Sequence, residues 1–238
     1  MAMSHMGHTI KKFDEELSTL RDLVLRMGGL VEEQLRRAVE SLQTGDVEQA
    51  KDVVQGDREI DRIELRADEE IASLLALRAP LGVDLRTILT LSKTVNDLER
   101  IGDEAKKVAR ATRDLSDQLD DDLRGKLIPP VATLANHALK MLHDALDALV
   151  RLDLERAESV RESDDLVDKA FVRSIEHLSG AIRNESELVS VGVQLLFAAK
   201  GLERIGDHAK NIAMYVYYLV DGRDMRHPKV NPHRQTQG

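Results

Sequence analysis

Leu98 to Lys106 reads LERIGDEAK and Leu202 to Lys210 reads LERIGDHAK, so eight of nine positions recur at an offset of 104. The chain is therefore built twice from one unit. A recurring apolar stripe would imply only a shared core, whereas recurring acids beside a recurring glycine point to a shared site. Each copy carries a Glu-x-x-x-Asp pair, Glu99 with Asp103 and Glu203 with Asp207.

Composition agrees with a duplicated helical unit. The 238 residues allow two domains of roughly 100 residues, each with its own core. Charged residues make up 32%, aromatics 3%, and tryptophan is absent, a balance typical of long helices rather than sheet. The formal charge of -9 and the interspersed Lys and Arg argue against a nucleic-acid surface, which needs clustered cations. With no cysteine there is no disulfide, thiolate metal site or thiol nucleophile, so any metal must be held by oxygen or imidazole. No apolar run approaches the roughly 20 residues that span a bilayer, and no signal-peptide core is present, which makes the cytoplasm the expected address. Met1 to Met6, MAMSHM, reads as an appended leader, and His5 is set aside with it.

Working outward from the repeat, apolar steps of four and three predict six helices. The first follows Leu17, Leu20, Val24, Met27, Val31, Leu35, Ala38 and Leu42 and stops at Thr44-Gly45-Asp46, where Asp46 caps the second helix, which runs to about Arg78. Pro80 and Gly82 make a turn before Asp84, the expected cap of helix three, which ends in the Asp-rich stretch 114 to 122. Pro129-Pro130 is expected to open helix four. Helix five spans Asp153 to about Arg183, Asn184-Glu185-Ser186 turns the chain, and helix six carries the second nonapeptide. The expectation is an elongated all-α tandem of two antiparallel three-helix bundles, 8–118 and 119–222, followed by a polar tail, 223–238, containing Pro228 and Pro232 and expected to be mobile.

Helix two repeats the acidic spacing as Asp57 and Asp61, and helix five as Asp164 and Asp168. Residues four apart share one helical face, with Cβ atoms about 5–6 Å apart. In an antiparallel hairpin, residues equidistant from the turn sit at one height. Asp61 and Glu99 both lie 19 residues from Pro80, and Asp57 and Asp103 both lie 23. In the second unit, Asp168 with Glu203 and Asp164 with Asp207 share a midpoint at 185.5, inside the predicted turn. The register thus puts four carboxylates level in each bundle. Several fall on heptad positions that would otherwise be apolar, so they must raise their pKa values or recruit cations. Hard or borderline metal ions with oxygen ligands resolve this, with Mg, Mn, Fe and Zn all open.

Blander readings compete. A single i, i+4 acidic pair is ordinarily a solvated face, and Arg100 or Arg204 can pair with the acids. Gly102 and Gly206 either admit a metal centre or permit close helix packing. Glu64, Asp68 and Asp97 lack counterparts and are read as surface groups or as supports behind the ligands. His137 and His143 are read as ordinary bundle histidines. His208, which replaces Glu104 in the repeat, is a candidate extra ligand or hydrogen-bond partner. Tyr215 reads as core, and Tyr215, Tyr217 and Tyr218 together mark a possible contact surface near a helix end.

Ferritin-like di-iron enzymes also set carboxylates between helices, but they use Glu-x-x-His on two of them, and no Glu here has His three residues later. No P-loop, dinucleotide fingerprint or nucleophile elbow appears. The doubled nonapeptide, Val83-Asp84-Leu85-Arg86 ahead of Ser92-Lys93-Thr94, the Met27-Gly28-Gly29 turn and the Tyr-Tyr-x-x-x-Gly-x-Asp-x-Arg-His ending at 217–227 together resemble the PhoU family over about His8 to His227. That resemblance implies a non-enzymatic cytoplasmic regulator that represses the phosphate-starvation response. It also implies peripheral membrane association through two partners, the ATP-binding subunit of the phosphate ABC transporter and the sensor histidine kinase of the phosphate two-component system, commonly as a homodimer. The family's acidic metal motifs map onto Asp57, Asp61, Glu99, Asp103, Asp164, Asp168, Glu203 and Asp207. The pairs in helices two and five are Asp-x-x-x-Asp rather than Glu-x-x-x-Asp, one methylene shorter in reach. Metal storage and ferritin-like chemistry stand as the alternative functions.

Overall fold

The computed structural model describes the backbone of residues 2–226 and the side chains of residues 11–226. Six long helices account for almost all of it: α1 (Ala2–Thr44), α2 (Val47–Arg78), α3 (Val83–Asp114), α4 (Asp121–Arg151), α5 (Leu154–Asn184) and α6 (Val189–Asp221), with a 3-10 turn at Ser186–Leu188. No strand occurs among the described residues. The expected tail is described only to Arg226, so His227, Pro228 and Pro232 lie outside the described residues.

Local chemistry starts and stops these helices. Asp46, Asp120 and Asp153 each occupy an N-cap and accept a hydrogen bond from the backbone N–H three residues on, at 2.9, 2.9 and 3.0 Å. Gly45 and Gly222 end α1 and α6 with φ of 78° and 72°, the left-handed conformation that glycine adopts without steric cost. Two expectations need correction. Helix α3 is capped by Gly82 without a side-chain bond, and Asp84 sits inside the first turn, where its charge complements the helix dipole. Pro129 and Pro130 do not open α4 but lie two turns within it, because Asp120 supplies the cap and Leu127 and Ile128 bury their side chains on the same helix. Pro130 has no N–H for the Lys126 carbonyl. That carbonyl is instead hydrogen-bonded by His177 Nε2 of α5 at 2.8 Å.

Helices α1, α2 and α3 pack as one antiparallel bundle and α4, α5 and α6 as the other. At about 1.5 Å per residue, α2 to α6 reach roughly 45–50 Å and α1 roughly 65 Å, which gives an elongated molecule. The two bundles do not keep separate cores. Helix α3 lies along α6 and α1 meets α4, so one buried apolar cluster runs through both repeats. Leu98 and Leu202, equivalent residues of the nonapeptide, are both fully buried, each contributing about 1.5–3 kcal/mol of transfer free energy.

Arg124 ties the repeats at one end. Its guanidinium donates to the carbonyls of Leu42 and Leu119, both at 2.9 Å, and a Cβ on Gly45 would lie 2.5 Å from its Nη2. Gly45→Ala is therefore expected to lower unfolding stability by about 1–2 kcal/mol, from left-handed strain and loss of the Arg124 bonds together. Urea unfolding monitored by circular dichroism measures it, and an unchanged midpoint would contradict the account.

Candidate functional site

Of the carboxylates paired by turn arithmetic, Asp57 and Asp103 share Lys106 where α2 packs on α3, and Asp207 lies within the field of Asp164 and Glu203 where α5 packs on α6. A Cβ on Gly102 would lie 3.2 Å from Gln34 Oε1 of α1 and in ordinary contact with Ile60 Cδ1 and Asp57 Oδ1 of α2, at 3.4 and 3.6 Å, whereas one on Gly206 would crowd Val167 Cγ1 of α5 at 3.0 Å. Ile60 and Val167 are equivalent residues of the two repeats, so the same crossing is built twice.

In the first repeat, Asp57 is 5% exposed and sits opposite Asp103, as the register demands. The Lys106 ammonium bridges them, bonding Asp57 Oδ2 and lying 2.6 Å from Asp103 Oδ1. Gln34 of α1 donates a further bond to Asp57 Oδ1 at 3.1 Å. Burial works against the Asp103 charge, but the Lys106 hydrogen bond and the charges of Lys106 and Lys107 together outweigh it and hold its pKa below the usual carboxylate value. Burial likewise disfavours the Lys106 charge, and its bonds to Asp103 and Asp57 more than offset this, raising its pKa. Glu99 has only Arg100 beside it, at 3.4 Å and largely in solvent, and that does not offset burial and its neighbours. Desolvation first, and repulsion from Asp103 second, push its pKa up.

Glu64, read from sequence as peripheral, belongs to this group. Desolvation and then the charges of Asp68 and Asp61 raise its pKa, and it adds to the field that raises Glu99. Asp61 itself is exposed. The seventh-residue spacing from Asp57 to Glu64 was the available signal, but the equivalent residue in the second repeat is Phe171, so a search by duplication discards it.

In the second repeat, Lys210 bonds Asp164. Asp207 has a raised pKa from partial desolvation, then repulsion by Glu203 and Asp164. Asp168 is raised by desolvation, then by Asp164 and Glu203. Glu203 is engaged by Lys200 at 2.6 Å. Met141 stands where Gln34 stands in the first repeat, so Asp164 has no counterpart of that amide donor. Lys106 and Lys210, overlooked in the sequence although each follows its motif aspartate by three residues, thus provide the positive charge in both sites. Among the described residues no three acidic or imidazole groups converge closely enough to hold a metal ion in this arrangement.

The opposite face of α3 carries a second polar layer, against α6. Asp97, read from sequence as peripheral, is 7% exposed and accepts from His208 Nδ1 at 2.7 Å and the Tyr215 hydroxyl at 2.6 Å. His208 is thus engaged as a hydrogen-bond partner between repeats. Desolvation, then the bond to Asp97, raises the Tyr215 pKa. Arg204 pairs not with its own motif acids but with Glu104 of the other repeat, at 2.7 Å. His143 pairs with Glu32 at 2.8 Å on the α1–α4 side.

The PhoU domain family matches residues 24–112 and 131–216, the two repeats in turn. The phosphate-specific transport system accessory protein PhoU of Escherichia coli K12 is 34% identical over 92% of this chain and 90% of its own length. A homologue with the same description from Pseudomonas aeruginosa is 40% identical over 92% and 90%. Among solved structures, PhoU from Pseudomonas aeruginosa superposes with a TM-score of 0.81 at 38% identity, covering 89% of this chain and all of that one. The phosphate transport system regulatory protein PhoU from Streptococcus pneumoniae gives 0.79 at 28% identity, covering 90% and 99%.

The directions of these shifts predict opposite outcomes for neighbouring acids. Glu99 and Asp207 have raised pKa values, so their favourable contribution exists at low pH and is lost as pH rises through the folded-state pKa. Glu99→Gln and Asp207→Asn should therefore raise the metal-free unfolding free energy at pH 7, each by under about 1 kcal/mol, with the gain vanishing below about pH 4. Asp103 has a lowered pKa, so its stabilisation is present at neutral pH and lost as pH falls. Asp103→Asn should destabilise at pH 7 and progressively less in acid. Thermal melts between pH 3.5 and 7.5 test this, and a loss of stability at pH 7 in both Glu99→Gln and Asp207→Asn would refute the repulsion account.

Proposed function

The chain belongs to the PhoU family, and from that premise we propose that it is an accessory regulator of a phosphate transport system, repressing the phosphate-starvation response when phosphate is plentiful. The observation that carries this reading is the near-full-length match to relatives named for that system, at 34–40% identity in Escherichia coli and Pseudomonas aeruginosa. The reading is of a non-enzymatic adaptor in the cytoplasm. It links the ATP-binding subunit of the phosphate ABC transporter to the sensor histidine kinase, commonly as a homodimer. No helix among the described residues is long and apolar enough to cross a membrane, which agrees with attachment through partners.

The carboxylate groups are proposed as cation sites: Asp57, Asp61, Glu99 and Asp103 in one repeat, Asp164, Asp168, Glu203 and Asp207 in the other. Their chemistry supports this. The donors are oxygen, and Glu99, Asp168 and Asp207 have raised pKa values from burial first and from repulsion by neighbouring acids second, so a cation would find carboxylates whose charge is poorly compensated. Mg, Mn, Fe or Zn ions held there would brace the α2–α3 and α5–α6 crossings by neutralising the acids. Each lysine would have to move off its aspartate, which its flexible four-carbon stem permits.

Elemental analysis of the purified protein, with Glu99→Ala and Glu203→Ala made separately, tests the metal proposal. Each variant is expected to lose metal from one repeat, and unchanged content in both would remove it. For the regulatory reading, deletion of the gene should switch on phosphate-starvation genes in phosphate-rich medium. Silence of those genes would favour metal storage instead.

A further inference from the structure

The α3–α6 seam is built from the internal repeat, so each of its positions is met twice. Residues 93, 97, 104 and 111 of α3 correspond to 197, 201, 208 and 215 of α6. The contacts obey this relation. Asp97 meets His208 at 2.7 Å at one end, and Glu104 packs against Gly201 at the other, where a Cβ would lie 3.1 Å from Glu104 Oε2.

The two ends nevertheless hold different contents. At the first, the Tyr215 ring fills the seam and donates its hydroxyl to Asp97, while Lys93 lies over the Tyr215 and Tyr218 rings at 5.8 and 5.2 Å. The segment after α6 folds back over this end. The Arg226 guanidinium stacks over Tyr215 at 5.3 Å, and Met225 packs against the core. At the second end, Ala111 stands in place of Tyr215 and Gly201 in place of Asp97. The volume that a ring and a carboxylate occupy at one end is an open groove of about 390 Å³ at the other.

The groove has a distinctive lining. Phe197, the counterpart of Lys93, is 73% exposed beside it. Four cations, Lys107, Arg110, Lys200 and Arg204, line it against two acids, Glu104 and Asp114, on a chain whose formal charge is -9. Glu104 is 4% exposed and shared by Arg204 at 2.7 Å and Lys107 at 3.0 Å, so one carboxylate serves two cations. Arg110 has no carboxylate within ion-pair distance among the described residues. An exposed aromatic inside a cationic rim, over an open groove with room for an aromatic side chain, combines the features that anchor protein partners.

We propose that this groove docks an acidic peptide segment of a partner protein, which inserts one aromatic side chain between Ala111 and Gly201 and sets its carboxylates against Arg110 and Lys107. The first end of the seam supplies the precedent: there an aromatic ring occupies the equivalent space and a short extended segment lies across it. Positive charge on the rim favours acidic over basic occupants and makes binding salt-dependent.

A phage library of random twelve-residue peptides, selected on the wild-type protein, tests this directly. Enrichment of acidic sequences containing an aromatic residue is expected. Measured by fluorescence polarisation, those peptides should bind at least tenfold more weakly to Ala111→Tyr, which refills the groove, and to Arg110→Glu, which reverses its rim. Circular dichroism establishes that Ala111→Tyr is folded, and Arg110→Glu, at an exposed position, serves if it is not. Failure to enrich, enrichment of basic or non-aromatic sequences, or equal binding by both variants would overturn the proposal. So would Arg110-dependent binding to phosphatidylglycerol vesicles without peptide selection, which would reassign the groove to a membrane surface.

Discussion

Burying an aspartate at a helix crossing is the constraint around which this molecule is arranged. Asp57 sits at a seam position of α2 that an apolar residue would ordinarily fill, and an unpaired carboxylate there would cost several kcal/mol. Lys106 supplies the opposite charge and reaches both Asp57 and Asp103. In the second repeat Lys210 bonds Asp164 without a pair to Asp207, and Gly206 admits Val167 of α5. The motif lysine paired with the aspartate of the neighbouring helix is thus the unit that recurs, which accounts for the lysine in both nonapeptides.

Duplication preserved that unit and let its surroundings diverge. Gln34 donates to Asp57, whereas its counterpart Met141 has no amide to offer Asp164. Asp103 has a lowered pKa while its counterpart Asp207 has a raised one, because Lys106 contacts Asp103 directly, whereas Asp207 is raised by burial first and by Glu203 and Asp164 second. The same divergence appears along the seam between repeats, filled at one end and hollow at the other. Two copies of a fold element that keep their backbone and exchange their side chains give two chemically different sites on one scaffold.

What could be read from the chain alone was whatever depends on period and distance. Heptad steps revealed six helices, counting from Pro80 paired Asp57 with Asp103, and counting from the Asn184-Glu185-Ser186 turn paired Asp164 with Asp207. Where a residue's neighbour lies in the other repeat, counting gives no information. Asp97 was dismissed because its partners, His208 and Tyr215, belong to a helix more than 100 residues away. Pro129 and Pro130 misled because the position of a proline within a helix depends on how the freed carbonyl is satisfied, and His177 does that from α5. Glu64 is hidden because its repeat counterpart is Phe171, and Lys106 because a lysine three residues after an aspartate ordinarily forms only a local surface pair.

The internal geometry of α3 joins the two polar layers. Consecutive residues on an α-helix point about 100° apart, so Asp103 faces α2 while Glu104, the next residue, faces α6. Asp103 binds Lys106 at the site between helices of one repeat, and Glu104 binds Arg204 at the seam between repeats. Asp207 and His208 stand in the same relation on α6, the histidine reaching Asp97. A rotation of α3 or α6 large enough to re-aim a motif aspartate therefore re-aims the adjoining residue in the seam. Because one apolar cluster runs through both bundles, neither helix can turn without repacking the other. The carboxylate sites and the packing of the two repeats are in this sense one mechanical system, built on two pairs of adjacent residues.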